Sequence, residues 1–217
     1  GVPLVGAVGL LYVGAVLFLN GVMLLGKVDM KAAAVFNLFV GALQVVTPTV
    51  LIITAGGNTD IILAASGIYL FGFTYLYVGI GLLGNLDSTG VGWFSLFVAI
   101  MALGYSFVSF QLLNDDPFGV IWLYWSFLWL LFFLLLGVKN QGLTKYTGWV
   151  AAIEGWVTGA IPAFLILSGY WDDWSPSYIA YGLAAVGLVS FVVLWPLTRP
   201  PRMEAAGVGA TPRPAQP

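Results

Sequence analysis

Seven apolar runs, each near the roughly 20 residues a helix needs to cross a bilayer core, leave this chain little choice of fold. They cover roughly residues 4–25, 32–54, 60–83, 91–112, 118–138, 148–169 and 177–197. With 217 residues, 60% of them hydrophobic and 7% charged, the chain lacks the polar surface of a water-soluble domain. Lipid offers no partner to a free N–H or C=O, so each run is expected as a continuous helix. A membrane β-barrel would alternate apolar and polar residues in short strands, and this chain does not. The first run has no basic leader and feeds directly into the others, so it reads as a helix rather than a cleaved signal.

The charges add an orientation. Lys27, Lys31, Lys139, Lys145, Arg199, Arg202 and Arg213 fall in alternate gaps or in the C-terminal tail, whereas Asp60, Asp115, Asp116, Asp172 and Asp173 fill the other gaps. Cytoplasmic loops collect Lys and Arg during insertion. The expectation is a multi-pass protein of the plasma or inner membrane, N-terminus outside and C-terminus in the cytoplasm. Short connections, such as Gly-Gly-Asn at 56–58 and Asn-Asp-Asp-Pro at 114–117, force antiparallel neighbours and leave no room for a soluble domain. After Pro196 the composition shifts to Pro, Ala, Gly and Arg. Residues 1–198 are therefore expected as the membrane domain and 199–217 as a disordered cytoplasmic tail, too polar and Pro-rich to offset its ordering entropy.

A weak internal repeat underlies the helices. Gly26-Lys27-Val28-Asp29 followed by Asn37-Leu38-Phe39-Val40-Gly41 resembles Gly84-Asn85-Leu86-Asp87 followed by Ser95-Leu96-Phe97-Val98-Ala99, 58 residues on. A further 58 residues reach Gly142-Leu143-Thr144-Lys145 and the Ile153-Glu154-Gly155 stretch. The spacing predicts an all-α integral membrane bundle of seven helices: three helical hairpins plus one extra C-terminal helix.

Few residues are left to carry chemistry. The chain has no Cys and no His, so thiolate chemistry, metal ligation and His-based acid–base catalysis lose their usual donors. Neither a metal, a cofactor nor a nucleic-acid partner is expected, and the protein does not read as an enzyme. Glu154 is the only ionisable residue deep in a run. A charge at a helix centre costs about 2.5–3.5 kcal/mol on insertion scales, so such a residue usually faces the bundle interior. Two roles fit it: a polar contact on a solute path, or a hydrogen-bonded carboxyl holding helices together.

Aromatic residues say more. Trp122, Trp125 and Trp129 share one helix face at i, i+3 and i+7, with Leu128 beside them, and Phe71 and Tyr75 stand i, i+4 apart on the third run. Indoles gather at the headgroup level, but Trp125 and Trp129 lie too deep for that. Aromatic packing between helices is one explanation. The other is a slot between flat walls, with Trp125 and Trp129 stacked along one side and Phe71 and Tyr75 opposite, which suits a small planar neutral solute.

The stretches 71–77 (Phe-Gly-Phe-Thr-Tyr-Leu-Tyr), 121–129 (Ile-Trp-Leu-Tyr-Trp-Ser-Phe-Leu-Trp) and 149–155 (Trp-Val-Ala-Ala-Ile-Glu-Gly) resemble signature segments of the AmiS/UreI urea/amide channel family. So do Leu11-Tyr12-Val13-Gly14 and the Lys27-Val28-Asp29 turn, and the resemblance spans about residues 4–170. It implies a six-helix protomer with its own pore in a homohexameric ring among membrane lipids. It also implies pore-lining roles for Phe71, Tyr75, Trp122, Trp125, Leu128 and Trp129, with Glu154 nearby. The implied solute is urea or a short-chain amide, and a cytoplasmic urease or amidase is the expected functional neighbour. Two departures matter: acid-gated members use His-rich outer loops, which this chain lacks, and its seventh run is extra. That run could be a lid at the ring edge, a lipid-facing brace, or a device that places the tail inside.

Two other classes compete. A retinal pigment needs a buried Lys, and the seventh run has none. An alternating-access transporter wants broken helices at the midplane, and Pro48 and Pro162 are candidate break points in the second and sixth runs.

Overall fold

The computed structural model describes residues 4–200, and all regular structure among them is helical. Seven helical spans follow one another: span one Leu4–Leu24, span two Met30–Thr54, span three Thr59–Gly84, span four Thr89–Gln111, span five Asp116–Gly137, span six Gln141–Ser168 and span seven Pro176–Thr198. The turns carry the usual punctuation. Asp29 caps span two by accepting from the N–H groups of Lys31 and Ala32, and Asn58 caps span three in the same way. Asn85 ends span three in the left-handed region at φ 51°, a conformation Asn tolerates better than most residues. Of the tail expected to be disordered, residues 201–217, including Arg202 and Arg213, lie outside the described residues.

Three spans are irregular, and only one of the two expected prolines is involved. Span two runs helical through Pro48. Span six relaxes into a π segment, Gly155–Ala160, just ahead of Pro162, whose ring crowds the Thr158 carbonyl and offers it no N–H. Span five ends in a second π segment, Phe133–Gly137. Span three breaks at Gly67, between Thr59–Ser66 and Ile68–Gly84. A Cβ on Gly67 would lie 2.9 Å from the Trp122 indole, so the break coincides with the approach of an aromatic ring from span five.

Spans one to six close into a ring in chain order, with span six returning to span one. Within each expected hairpin the contact is looser than between hairpins: the closest pairs are two with three, four with five, and six with one. Lipid tails are as apolar as Leu, so helices in a membrane associate through close packing, which small residues permit. Glycines supply it here. A Cβ on Gly21 would stand 2.5 Å from backbone atoms of Ala152 and Gly148, one on Gly79 2.9 Å from the Ala34 carbonyl, and one on Gly92 2.1 Å from the backbone of Gly137. Gly21, Gly79 and Gly137 are spaced by 58 residues, as are Ala34 and Gly92, the positions that Gly79 and Gly137 meet. The repeat seen in the turns thus recurs in the seams, where no short motif announces it.

Span seven lies outside this ring, against spans five and six. Tyr124 Oη donates to the Leu183 carbonyl, and Tyr146 Oη donates to the Phe191 carbonyl at 3.1 Å. Phe191 stacks on Phe127 with centroids 5.0 Å apart, and Arg199 sits 5.1 Å over the Trp195 ring. Most of its remaining surface is exposed apolar side chain.

Candidate functional site

Span five directs Trp122, Trp125, Leu128 and Trp129 into the ring, all buried, as their shared helix face requires. Phe71 from span three meets all three indoles. Its ring centroid lies 5.5 Å from Trp122 in a near-parallel stack, and 4.7 and 5.0 Å from Trp125 and Trp129 in edge-to-face contacts. Trp122 and Trp125 meet each other at 86°, and Tyr75 reaches Trp129 at 6.4 Å. At such spacings aromatic rings touch. The expected slot between two stacked walls is therefore not an open gap: Phe71 fills it, and the N–H groups of Trp125 and Trp129 each point to an acceptor of their own.

Those acceptors are threonines. Trp125 Nε1 donates to Thr158 Oγ1 at 2.9 Å, and Thr158 in turn donates to the Glu154 carbonyl at 2.7 Å. Trp129 Nε1 donates to Thr74 Oγ1 at 3.2 Å, and Thr74 to the Leu70 carbonyl at 2.7 Å. A buried indole N–H normally finds such a partner. Neither threonine stands out in the sequence, although Thr74 lies next to Tyr75 and Thr158 is one turn after Glu154.

Above the constriction lies a cavity of about 510 Å³. Its mouth carries Asp60, Asn114 and Asp115, its wall includes Gln44 and Tyr105, and its floor is Phe71, Trp122 and Trp125. Tyr105 stacks on Trp122 at 4.8 Å and its hydroxyl pairs with Ser66 Oγ at 2.7 Å, another role with no sequence signal. Burial pushes the Asp115 carboxyl above its ordinary range and the neighbouring Asp116 adds to this, while the Phe118 N–H that it caps pulls the other way.

The seven sequence-derived residues thus divide. Phe71, Trp122 and Trp125 face the cavity; Tyr75, Leu128, Trp129 and Glu154 lie a turn or more beyond it, fully enclosed. Neither oxygen of Glu154 has a hydrogen-bond partner among the described residues, nor has the Tyr75 hydroxyl. A carboxyl that bonded helices together would show a partner; this one does not.

Known proteins resemble this chain in sequence and in fold. A family model described as AmiS/UreI family transporter matches residues 5–170. A Rhodococcus erythropolis protein named as a candidate transporter, AmiS2, is 61% identical over 164 residues, covering 76% of this chain and 80% of its own. A Mycolicibacterium smegmatis protein named as a candidate transporter of amidate substrates is 52% identical over 203 residues, covering 94% and 93%. The acid-activated urea channel of Helicobacter pylori strain J99 is 38% identical over 191 residues, covering 75% of this chain and 97% of its own. A cryo-EM structure of the Helicobacter pylori urea channel in the closed state superposes with a TM-score of 0.69 at 37% identity, over 76% of this chain and 98% of that one. With seven apolar spans and a match from residue 5 to residue 170, this multi-pass membrane protein belongs to the AmiS/UreI transporter family.

Proposed function

We propose that the protein is a passive channel for urea or short-chain amides. The solute path runs from the cavity, through the aromatic constriction of Phe71, Trp122, Trp125, Leu128 and Trp129, past Tyr75 and Glu154 to the cytoplasmic side. The observation that carries this reading is the cavity floor. Three aromatic rings close it, and the polar atoms beyond them, the Glu154 carboxyl and the Tyr75 hydroxyl, have no partner among the described residues. A flat neutral molecule slides over ring faces at little cost, whereas an ion would shed its hydration there with nothing to replace it. Passage requires Phe71 to swing off the indoles.

The relatives' names support urea and amides as the solute class, and the likeness to the Helicobacter pylori channel supports a ring of six protomers, each with its own pore. The Lys and Arg distribution supports an outside N-terminus, which places the cavity mouth with Asp60 and Asp115 outside. Without histidine in the chain, no imidazole is available to gate flux near neutral pH. A cytoplasmic urease or amidase would consume the solute and keep its gradient inward.

The test is stopped-flow shrinkage of proteoliposomes in urea or acetamide. A channel gives flux proportional to solute concentration and needs no H⁺ or Na⁺ gradient. A second reading, alternating access, is favoured by one observation: the bundle is open on the cavity side and sealed at Phe71. Flux that saturates, or that requires an ion gradient, would select it.

A further inference from the structure

Three carboxamides are buried in the spans: Asn20, Asn37 and Gln44. Two of them satisfy each other. Asn20 Nδ2 donates to Asn37 Oδ1 at 2.9 Å and Asn37 Nδ2 donates to Asn20 Oδ1 at 2.7 Å, a closed amide–amide pair between spans one and two. Gln44 lies seven residues after Asn37 and so two turns along the same face of span two. It is 2% exposed, yet its Nε2 has no hydrogen-bond partner among the described residues, and it lines the cavity above Phe71. A buried amide N–H left without a partner is costly, which makes an unmated carboxamide in a cavity wall unusual.

The neighbourhood is shaped around this group. Gly9 of span one lies under it: a Cβ there would come within 2.6 Å of Nε2 and 3.2 Å of Oε1. The positions 58 and 116 residues further on, Ala102 and Ala160, are small and apolar, so the repeat demands no polar residue at this level. Gln44 therefore departs from the repeat towards both size and polarity, and it does so where the cavity narrows onto Phe71, Trp122 and Trp125.

We propose that Gln44 is a solute-binding residue. Its carboxamide pairs with the carbonyl oxygen and an adjacent N–H of urea or a primary amide, as Asn20 and Asn37 pair with each other, and presents the flat molecule to the constriction. Either orientation of the Gln44 amide offers one donor and one acceptor, so the pairing does not depend on which atom is Oε1. The proposal rests on the amide-channel reading above and adds to it the residue that recognises the amide.

The test uses the full chain in proteoliposomes, with urea and acetamide as solutes and Gln44→Met as the variant, close in length and without hydrogen-bonding atoms. Urea and acetamide permeability per assembled channel should fall about three- to tenfold, within the range for one ordinary hydrogen bond, with assembly and thermal unfolding midpoint kept. Should Gln44→Met fail to assemble, Gly9→Ala decides the matter: it keeps Gln44 but sets a methyl group against its amide, and the same drop is expected. Parent-like permeability in the assembled variant would overturn the role of Gln44 and leave the channel reading standing. No flux above empty vesicles in the parent itself would remove both.

Discussion

The seams between helices and the aromatic centre both hold this bundle together in lipid, but they treat the repeat in opposite ways. In the seams the three units agree: Gly21, Gly79 and Gly137 recur at one spacing and each brings two helix backbones together. At the centre they disagree. Val13, Phe71 and Trp129 occupy equivalent positions, as do Gly9, Gly67 and Trp125. One unit supplies small aliphatic lining, the next a phenyl ring, and the third the indoles. The contrast teaches that threefold likeness builds the frame, whereas the departures from it collect where a solute would pass.

The seams should be the least forgiving part. A Cβ on Gly14 would sit 2.4 Å from the Ala160 nitrogen and 2.6 Å from the Gly155 carbonyl, both backbone atoms that cannot swing aside. Gly14→Val is expected to abolish assembled protein, as judged by size-exclusion chromatography in detergent. Gly104→Ala, whose added Cβ meets nothing within 4 Å, should match the parent. Equal yields from the two would undo the seam argument.

Next in size comes the centre. Trp125→Ala removes a buried ring that contributes on the order of 3–5 kcal/mol to packing and frees Thr158 Oγ1 from its indole donor. Assembly should persist because the seams are untouched, while discrimination relaxes, raising glycerol and larger amides relative to urea. An assembled variant that keeps the parent's urea-to-glycerol ratio would place the pore elsewhere.

A smaller effect is expected at Glu154. Since neither oxygen has a protein partner among the described residues, neither Glu154→Gln nor Glu154→Leu should strand a hydrogen-bonding group of the protein. Both should assemble with parent-like unfolding temperatures. Urea permeability should fall a few-fold in Glu154→Leu and less in Glu154→Gln, in stopped-flow measurements. Wild-type flux in both would show the carboxyl to be dispensable.

Protons should matter least. Without histidine, urea permeability is expected to change less than a few-fold between neutral and mildly acidic pH; a steep rise with a midpoint near 6 would contradict this. Asp115 gives a subtler signature. Its folded carboxyl holds a proton more tightly than the unfolded one, so it subtracts stability above its raised titration point. That effect fades as pH falls through the window down to the ordinary Asp value of about 3.9. Asp115→Asn, which can still cap span five, should raise the thermal midpoint slightly at neutral pH and not in acid below that window.

How much of this was legible depends on how local the cause is. The spans follow from apolar length, and their bounds hold to within a few residues except at span six, where Gln141–Ser168 begins seven residues ahead of the apolar run because the polar Thr144–Lys145 turn is already helical. The inward face of Trp122, Trp125, Leu128 and Trp129 follows from helical period alone. The pairing of spans across hairpins was not legible, because seam glycines meet residues far along the chain, as Gly79 meets Ala34 and Gly14 meets Ala160. Thr74, Thr158, Tyr105 and Gln44 were missed for a related reason: a lone polar residue in an apolar run gains meaning only from what stands opposite. Of the two expected break points, span two runs through Pro48 and span six is irregular ahead of Pro162, while the break at Gly67, where the Trp122 indole approaches, had no signal in the sequence.

The central claim is that solute crosses at the floor of the cavity, past Phe71. The chain has no cysteine, so Phe71→Cys carries a single thiol at that point. Urea permeability of Phe71→Cys proteoliposomes, measured before and after a small methanethiosulfonate reagent, tests the claim most directly. Blocked urea flux after labelling, with the parent insensitive to the reagent, is the predicted result; complete labelling of the thiol with urea flux unchanged would contradict it.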